Sequence, residues 1–213
     1  MPEDSENTKA KIKPPFTDSV GIILAGGKST RYGRNKALEN IGGRTLIEHV
    51  VETMTSLFES IILITNTPAE YAHLGLPMHE DLIKGLGPIG GIYTALKVID
   101  KDFGFVVACD MPFLSKTLIT HMVSIKESFD VVVPRMDWKI EALHAIYRRS
   151  CLKQIEKNIA QEIYQVMRLF ESVTVRYVEE EEIIQFDPEL KSFLNINRPQ
   201  DLRRLESLWL NSS

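Results

Sequence analysis

Short apolar runs alternate along this chain with stretches of helical period. Val20 and Ile22 to Leu24 make the first run, short enough for a buried strand and closed at once by Ala25, Gly26 and Gly27. After a turn over residues 41–44, Thr45 and Glu48 have the spacing of a capping box. Leu46, Ile47, Val50, Val51, Met54 and Leu57 then share one face at helical period. Ile61 to Thr65 is the next strand pattern, ended by Asn66, Thr67 and Pro68, and His79, Glu80 and Asp81 follow a variable segment. Gly85 to Ile92 reads as a second glycine-rich turn, with a helical pattern continuing to Ile99.

The second half repeats the alternation. Gly104 to Ala108, Val131 to Val133 and Leu143 to Tyr147 read as strands. A helix is expected from Lys116 to about Ile125 with Ser115 as its cap, and another carries Cys151, Leu152 and Ile155 inward. Residues 159–170 read as helical, Val173 to Val178 alternates, and Glu179 to Glu182 reads as a solvated loop. Phe193 to Asn197 is expected to be a short strand, and Pro199 to open a closing helix with Leu202, Leu205, Leu208 and Trp209 on its inner face. Strand, helix and strand in succession predict an α/β fold with a parallel sheet and crossover helices.

Composition narrows the partners. With 213 residues, 44% hydrophobic content and no Gly-, Ser- or Pro-rich linker in the middle, one domain is favoured. A net charge of −4 argues against a general nucleic-acid surface and for a small-molecule partner. Two cysteines, Cys109 and Cys151, make neither a disulfide framework nor a metal cluster. Residues 1–18 read as a flexible polar tail without the apolar core of a signal peptide, so a cytoplasmic protein is expected, with residues 19–213 as the folded domain.

Against that acidic background, Lys28, Arg31, Arg34 and Lys36 place four cations in nine residues just after the glycines. Glycines at a strand end let backbone N–H groups approach an anion, so polyphosphate is the first ligand to consider. Neither the Walker A spacing nor G-x-G-x-x-G is present. Asp110 lies just past the end of a strand, where open α/β sheets place their ligand crevice. His49 and His144 are single histidines in apolar patterns, for which packing or a local hydrogen bond is the default role.

The motif LAGG-x-S-x-R-x-G-x-x-K from Leu24 to Lys36, the GPIGGI segment, the Asp110-Met111-Pro112 turn and Asn195-Ile196-Asn197-Arg198-Pro199 together resemble molybdenum cofactor guanylyltransferases. The resemblance extends from Gly21 to Leu202. It implies a single-domain Rossmann-like α/β fold, a three-layer sandwich of nucleotidyltransferase type with a mostly parallel central sheet. It also implies transfer of GMP from GTP to the phosphate of Mo-molybdopterin, with Mg²⁺ as cofactor and release of pyrophosphate. Position by position, Leu24, Ala25, Gly26 and Gly27 match the nucleotide-contacting loop, Lys36 the phosphate-binding lysine and Asp81 a nucleotide-binding aspartate. Asp110 matches the aspartate that binds nucleotide and metal, and Arg31 joins Lys36 and Asp110 as the expected catalytic set. GTP and Mo-molybdopterin would be the partners, together with molybdenum-insertion or molybdoenzyme proteins; neither nucleic acid nor membrane is expected. Asn195 and Asn197 match either a helix cap or pterin contacts. Tyr32, where methionine is common, and Ala142, where proline is often found, depart from the pattern.

Three other readings stand beside it. A relative that transfers CMP to the same pterin usually reads LAAG and lacks the GPxxGI turn. Another nucleotidyltransferase would use a sugar phosphate or alcohol phosphate. A non-catalytic nucleotide-binding module would have had no need of Lys36 or Asp110.

Overall fold

Residues of β1 (Phe16–Leu24) alternate between two cores, Val20, Ile22 and Leu24 packing on one side of the sheet and Ile23 on the other. Its buried run from Ser19 onward marks a strand covered on both faces, as parallel sheets require. The computed structural model describes residues 14–26, 35–137 and 139–194. In chain order the strand is followed by a small hairpin, β2 (Asn40–Ile41) and β3 (Arg44–Thr45), then α1 (Leu46–Leu57) and β4 (Phe58–Ile64). Next come α2 (Pro68–Tyr71), β5 (Met78–His79), α3 (Pro88–Val98), β6 (Phe103–Ala108) and α4 (Lys116–Ser124). β7 (Val131–Met136), β8 (Lys139–Ile140), β9 (His144–Arg148), α5 (Cys151–Ala160), α6 (Val166–Phe170), β10 (Val175–Glu179) and α7 (Glu180–Ile183) complete the described elements.

The main sheet runs β10-β7-β9-β6-β1-β4-β5, with β8 paired to β7. All neighbours along that path are parallel except β9, which runs antiparallel to both β6 and β7. Helices α1 and α4 cover one face with Ile47, Val50, Met54, Leu118, Ile119 and Met122; α3, α5 and α6 cover the other with Ile92, Leu96, Ile155 and Leu169. This is the three-layer α/β sandwich that the resemblance implies, and the reversed strand is what limits its sheet to mostly parallel. Thr45 and Glu48 form the expected capping box, Glu48 Oε2 accepting from the Thr45 N–H at 2.7 Å. Ser115 Oγ accepts from the Leu118 N–H at 3.2 Å and starts α4 as read.

Several local readings change. β1 begins at Phe16, inside the stretch assigned to the tail, because Phe16 pairs with Phe58 of β4 and their rings lie 5.4 Å apart. The glycine-rich segment becomes helix from Pro88 onward, since proline fits a first helical turn and only Gly85 and Gly87 need positive φ. Gly91 is inside α3 because a Cβ there would press on Leu24 Cδ2 at 3.2 Å. The acidic run is not a solvated loop: Glu179 ends β10, Glu180–Ile183 is α7, and Glu182 accepts hydrogen bonds from Arg176 at 2.7 and 2.9 Å. The stretch read as helical over 159–170 divides, α5 ending at Ala160 and α6 starting at Val166. Phe193 closes a 3₁₀ turn, Lys191–Phe193, instead of opening a strand, and its ring packs on His144 at 5.2 Å. Residues 195–197 of that segment and the closing helix lie outside the described residues.

Candidate active site

Strand order reverses at β1, because the chain first builds outward through β4 and β5 and then returns to lay β6 on the other side of β1. Such a switch point opens a crevice beyond the carboxyl ends of the two strands. Leu24 and Ala25 hold one lip, with Ala25 N–H donating to Ile64 O at 2.9 Å and Cys109 N–H to Leu24 O at 3.1 Å. These bonds carry the ladder past the strand ends, so the next residue leaves the sheet. That residue, Gly26, is exposed, and a Cβ on it would meet no described residue within 4 Å, so glycine keeps its backbone approachable on that side. The first turn of α3 packs on the same lip through Gly91 and Leu24, bringing the positive end of a helix dipole to the crevice.

The second lip is Asp110. The residue is 8% exposed, and Lys36 reaches across from β1's side to form an ion pair through Nζ and Oδ2. A nearly buried carboxylate needs such an answering charge, since desolvation otherwise disfavours its ionised form. Lys36 itself keeps a 25% exposed side chain, so the pair borders the crevice instead of lying sealed below it. Beside it, burial and then the charge of Asp110 push the Cys109 thiol up to about 12, which leaves no thiolate at neutral pH. The structure thus brings Lys36 and Asp110, both named from the sequence, into contact.

Asp81 stands apart, beyond β5 at the end of β4. Asn66 holds it twice, donating from Nδ2 to Asp81 Oδ2 at 2.7 Å and accepting at Oδ1 from the Asp81 N–H at 3.2 Å. The following N–H, of Leu82, donates to Thr94 Oγ1 of α3 at 2.9 Å. Asp81 is thus a fixed carboxylate on a clamped loop, hydrogen-bonded to the carboxamide of Asn66. Gly27 and Arg31 lie outside the described residues, as do Tyr32, Asn195 and Asn197. His49 bonds the Ile41 carbonyl at 2.9 Å and is structural. His144 is fully buried between Phe105 and Phe193, and burial pushes its pKa down to about 3.

Sequence reading missed Asn35, Asn66 and Thr94. Asn35 precedes the short turn that carries Lys36, and asparagine before a helical turn is a capping signal. Asn66 and Thr94 gave no local signal, because their partners are 15 and 12 residues away in sequence. Among the described residues no group of three or more His, Cys, Asp or Glu side chains forms a metal cage. No helix among them is long and apolar enough to cross a membrane.

A sheet opened at its switch point by a glycine-bearing strand end and a lysine–aspartate pair defines a nucleotidyltransferase of the α/β sandwich type. A model of the MobA-like NTP transferase domain matches residues 21–177. A molybdenum cofactor guanylyltransferase of Desulfosudis oleivorans is 35% identical over 190 residues, covering 88% of this chain and 94% of its own length. A probable molybdenum cofactor guanylyltransferase of Clostridium perfringens is 36% identical over 178 residues, covering 82% and 89%. The crystal structure of molybdopterin-guanine dinucleotide biosynthesis protein A from Archaeoglobus fulgidus superposes with a TM-score of 0.79 at 31% identity, covering 90% of this chain and 99% of that one. The chain belongs to the MobA-like NTP transferase family.

Proposed function

We propose that this enzyme transfers GMP from GTP to the phosphate of Mo-molybdopterin, releasing pyrophosphate. The carrying observation is the Lys36–Asp110 ion pair at the crevice between β1 and β6. The names of its relatives at 35–36% identity support the choice of guanine and of pterin. In the transfer, an oxygen of the pterin phosphate bonds to the α-phosphorus of GTP. The bond from that phosphorus to the bridging oxygen breaks, and the electron pair leaves on pyrophosphate.

Charge builds on the nonbridging oxygens and on the departing pyrophosphate, so fixed positive groups stabilise the transition state more than the ground state. Lys36 supplies one, and Arg31 is proposed as a second. Leu24, Ala25, Gly26 and Gly27 present backbone to the nucleotide, and Asp81 orients it. The acceptor phosphate has a second pKa of about 6, so it attacks already ionised and no general base is needed. Asp110 fits a divalent cation, Mg²⁺ in this proposal, because one carboxylate at an open strand end satisfies a metal that completes its shell with water and phosphate oxygens. That cation would add charge neutralisation at the phosphates.

Thermal shifts with GTP, CTP, ATP and UTP in Mg²⁺ test the reading, since ligand at about 100 times its Kd stabilises by about 2.7 kcal/mol. Selective stabilisation by GTP, followed by GMP transfer to Mo-molybdopterin, is the expected result. Stabilisation by CTP alone would move the assignment to cytidylyl transfer, and no response to any nucleotide would remove the enzymatic reading.

A further inference from the structure

Lys36 stands on a 3₁₀ turn of three residues, Lys36–Leu38, and a turn so short cannot hold its own orientation. Asn35 supplies the anchorage. Its Oδ1 accepts from the Ala37 N–H at 3.1 Å, while its Nδ2 donates to Tyr71 Oη at 2.8 Å and also to the Glu70 carboxylate. Tyr71 ends α2 and is 2% exposed; burial pushes its phenol up to about 12, so the hydroxyl remains protonated at any working pH. Ala37, 1% exposed, plugs the same core. One carboxamide therefore spends its acceptor on the turn and its donor on α2, and rotation of the turn would break both sets of bonds.

We infer that Asn35 is a positioning residue, pinning the turn to Tyr71 so that the Lys36 ammonium is held at Asp110 before nucleotide arrives. The inference rests on the reading of Lys36 as the phosphate-binding cation. A lysine has a flexible four-carbon stem, so a fixed backbone origin is what narrows the space its ammonium samples. Preorganisation of that kind raises the benefit of the charge without adding any contact to substrate. Asn35 acts through Lys36 and has no other part in the transfer.

The test is a double-mutant cycle on GTP affinity, measured by calorimetry with Mg²⁺ on the full chain. Asn35→Ala removes both sets of bonds, and Tyr71→Phe removes the hydroxyl while keeping the buried ring. With Lys36 present, Asn35→Ala is expected to weaken GTP about tenfold and Tyr71→Phe about threefold, the scale of one lost hydrogen bond to a placed group. In a Lys36→Ala background each should change affinity by less than about twofold. Melting curves report folding separately, and Tyr71→Phe keeps the test usable if Asn35→Ala folds poorly. Equal losses with and without Lys36 would overturn the inference, because a merely structural residue costs the same in both backgrounds. Unchanged affinity on losing either group would overturn it as well. A Lys36→Ala variant that binds GTP normally would overturn the reading of Lys36 itself, an outcome distinct from both.

Discussion

Asp110, just past the end of β6, and His144, at the start of the neighbouring β9, lie near the same end of the sheet, and the fold treats them in opposite ways. His144 pairs in register with Val107, three residues before Asp110. Asp110 is 8% exposed and meets the ammonium of Lys36; His144 is 0% exposed, lies between two aromatic rings, and neither of its ring nitrogens finds a hydrogen-bond partner among the described residues. Burial of a polar group is tolerated in both places, but a charge is kept only where an opposite charge answers it. At His144 the ionised form is simply abandoned, with a pKa pushed down to about 3. A polar residue under an apolar pattern is thus a candidate for chemistry when it has a charged partner at an open edge, and a packing residue when it has none.

The comparison is sharpest in Asp110→Asn, which keeps shape and removes charge. We expect GMP transfer to fall about 10³-fold, on the scale of losing a preorganised electrostatic group, with the melting temperature little changed. Parallel measurement of transfer rate and thermal stability checks it. Transfer that survives unchanged would mean that the ion pair is structural and that Asp110 belongs with His144.

Asp81 provides an intermediate case, a fixed carboxylate answered by a carboxamide. Asp81→Ala is expected to raise KM for GTP about tenfold with kcat within about twofold, as for a group that binds ground and transition states equally. Asn66→Ala should give a smaller shift in the same direction, because it frees the Asp81 side chain from its 2.7 Å bond without removing it. A fall in kcat with constant KM would instead place Asp81 with the reacting phosphates.

What the sequence made legible follows from how local each signal is. The Thr45–Glu48 box, the Ser115 cap and the apolar face of α1 all depend on residues within a few positions of one another, and each appears as read. The position of Asp110 just past the end of β6 was legible because a strand end is itself a local pattern. The Lys36–Asp110 pair spans the switch point, and only strand order joins the two. The acidic run misled because its charges are answered from elsewhere: Glu182 meets Arg176 of β10 and His121 of α4, with 2.6 Å to the histidine. GPIGGI misled because glycine count suggests a turn, whereas Gly91 serves the close approach of α3 to β1.

The smallest expected effect is the most direct reading of the unpaired histidine. Its folded pKa of about 3 lies below its ordinary 6.5, so the unfolded chain takes up a proton that the native state refuses. Stability from this residue is complete above pH 6.5 and declines as pH falls toward about 3, by up to about 1.4 kcal/mol per pH unit. His144→Leu removes two unpartnered nitrogens from an apolar site and should stabilise by about 1 kcal/mol at neutral pH, with transfer unaffected. Between pH 6.5 and about 4.5 the gap between variant and parent should widen, because the parent loses the contribution of His144 over that window while the variant has no group there to titrate; carboxylates such as Glu182 and Asp18 are common to both proteins and cancel in the difference. Urea melts of both proteins across that window measure it. A constant gap would mean that His144 has a proton partner in the native state, and a loss of transfer in His144→Leu would place the histidine in the chemistry and dissolve the contrast with Asp110.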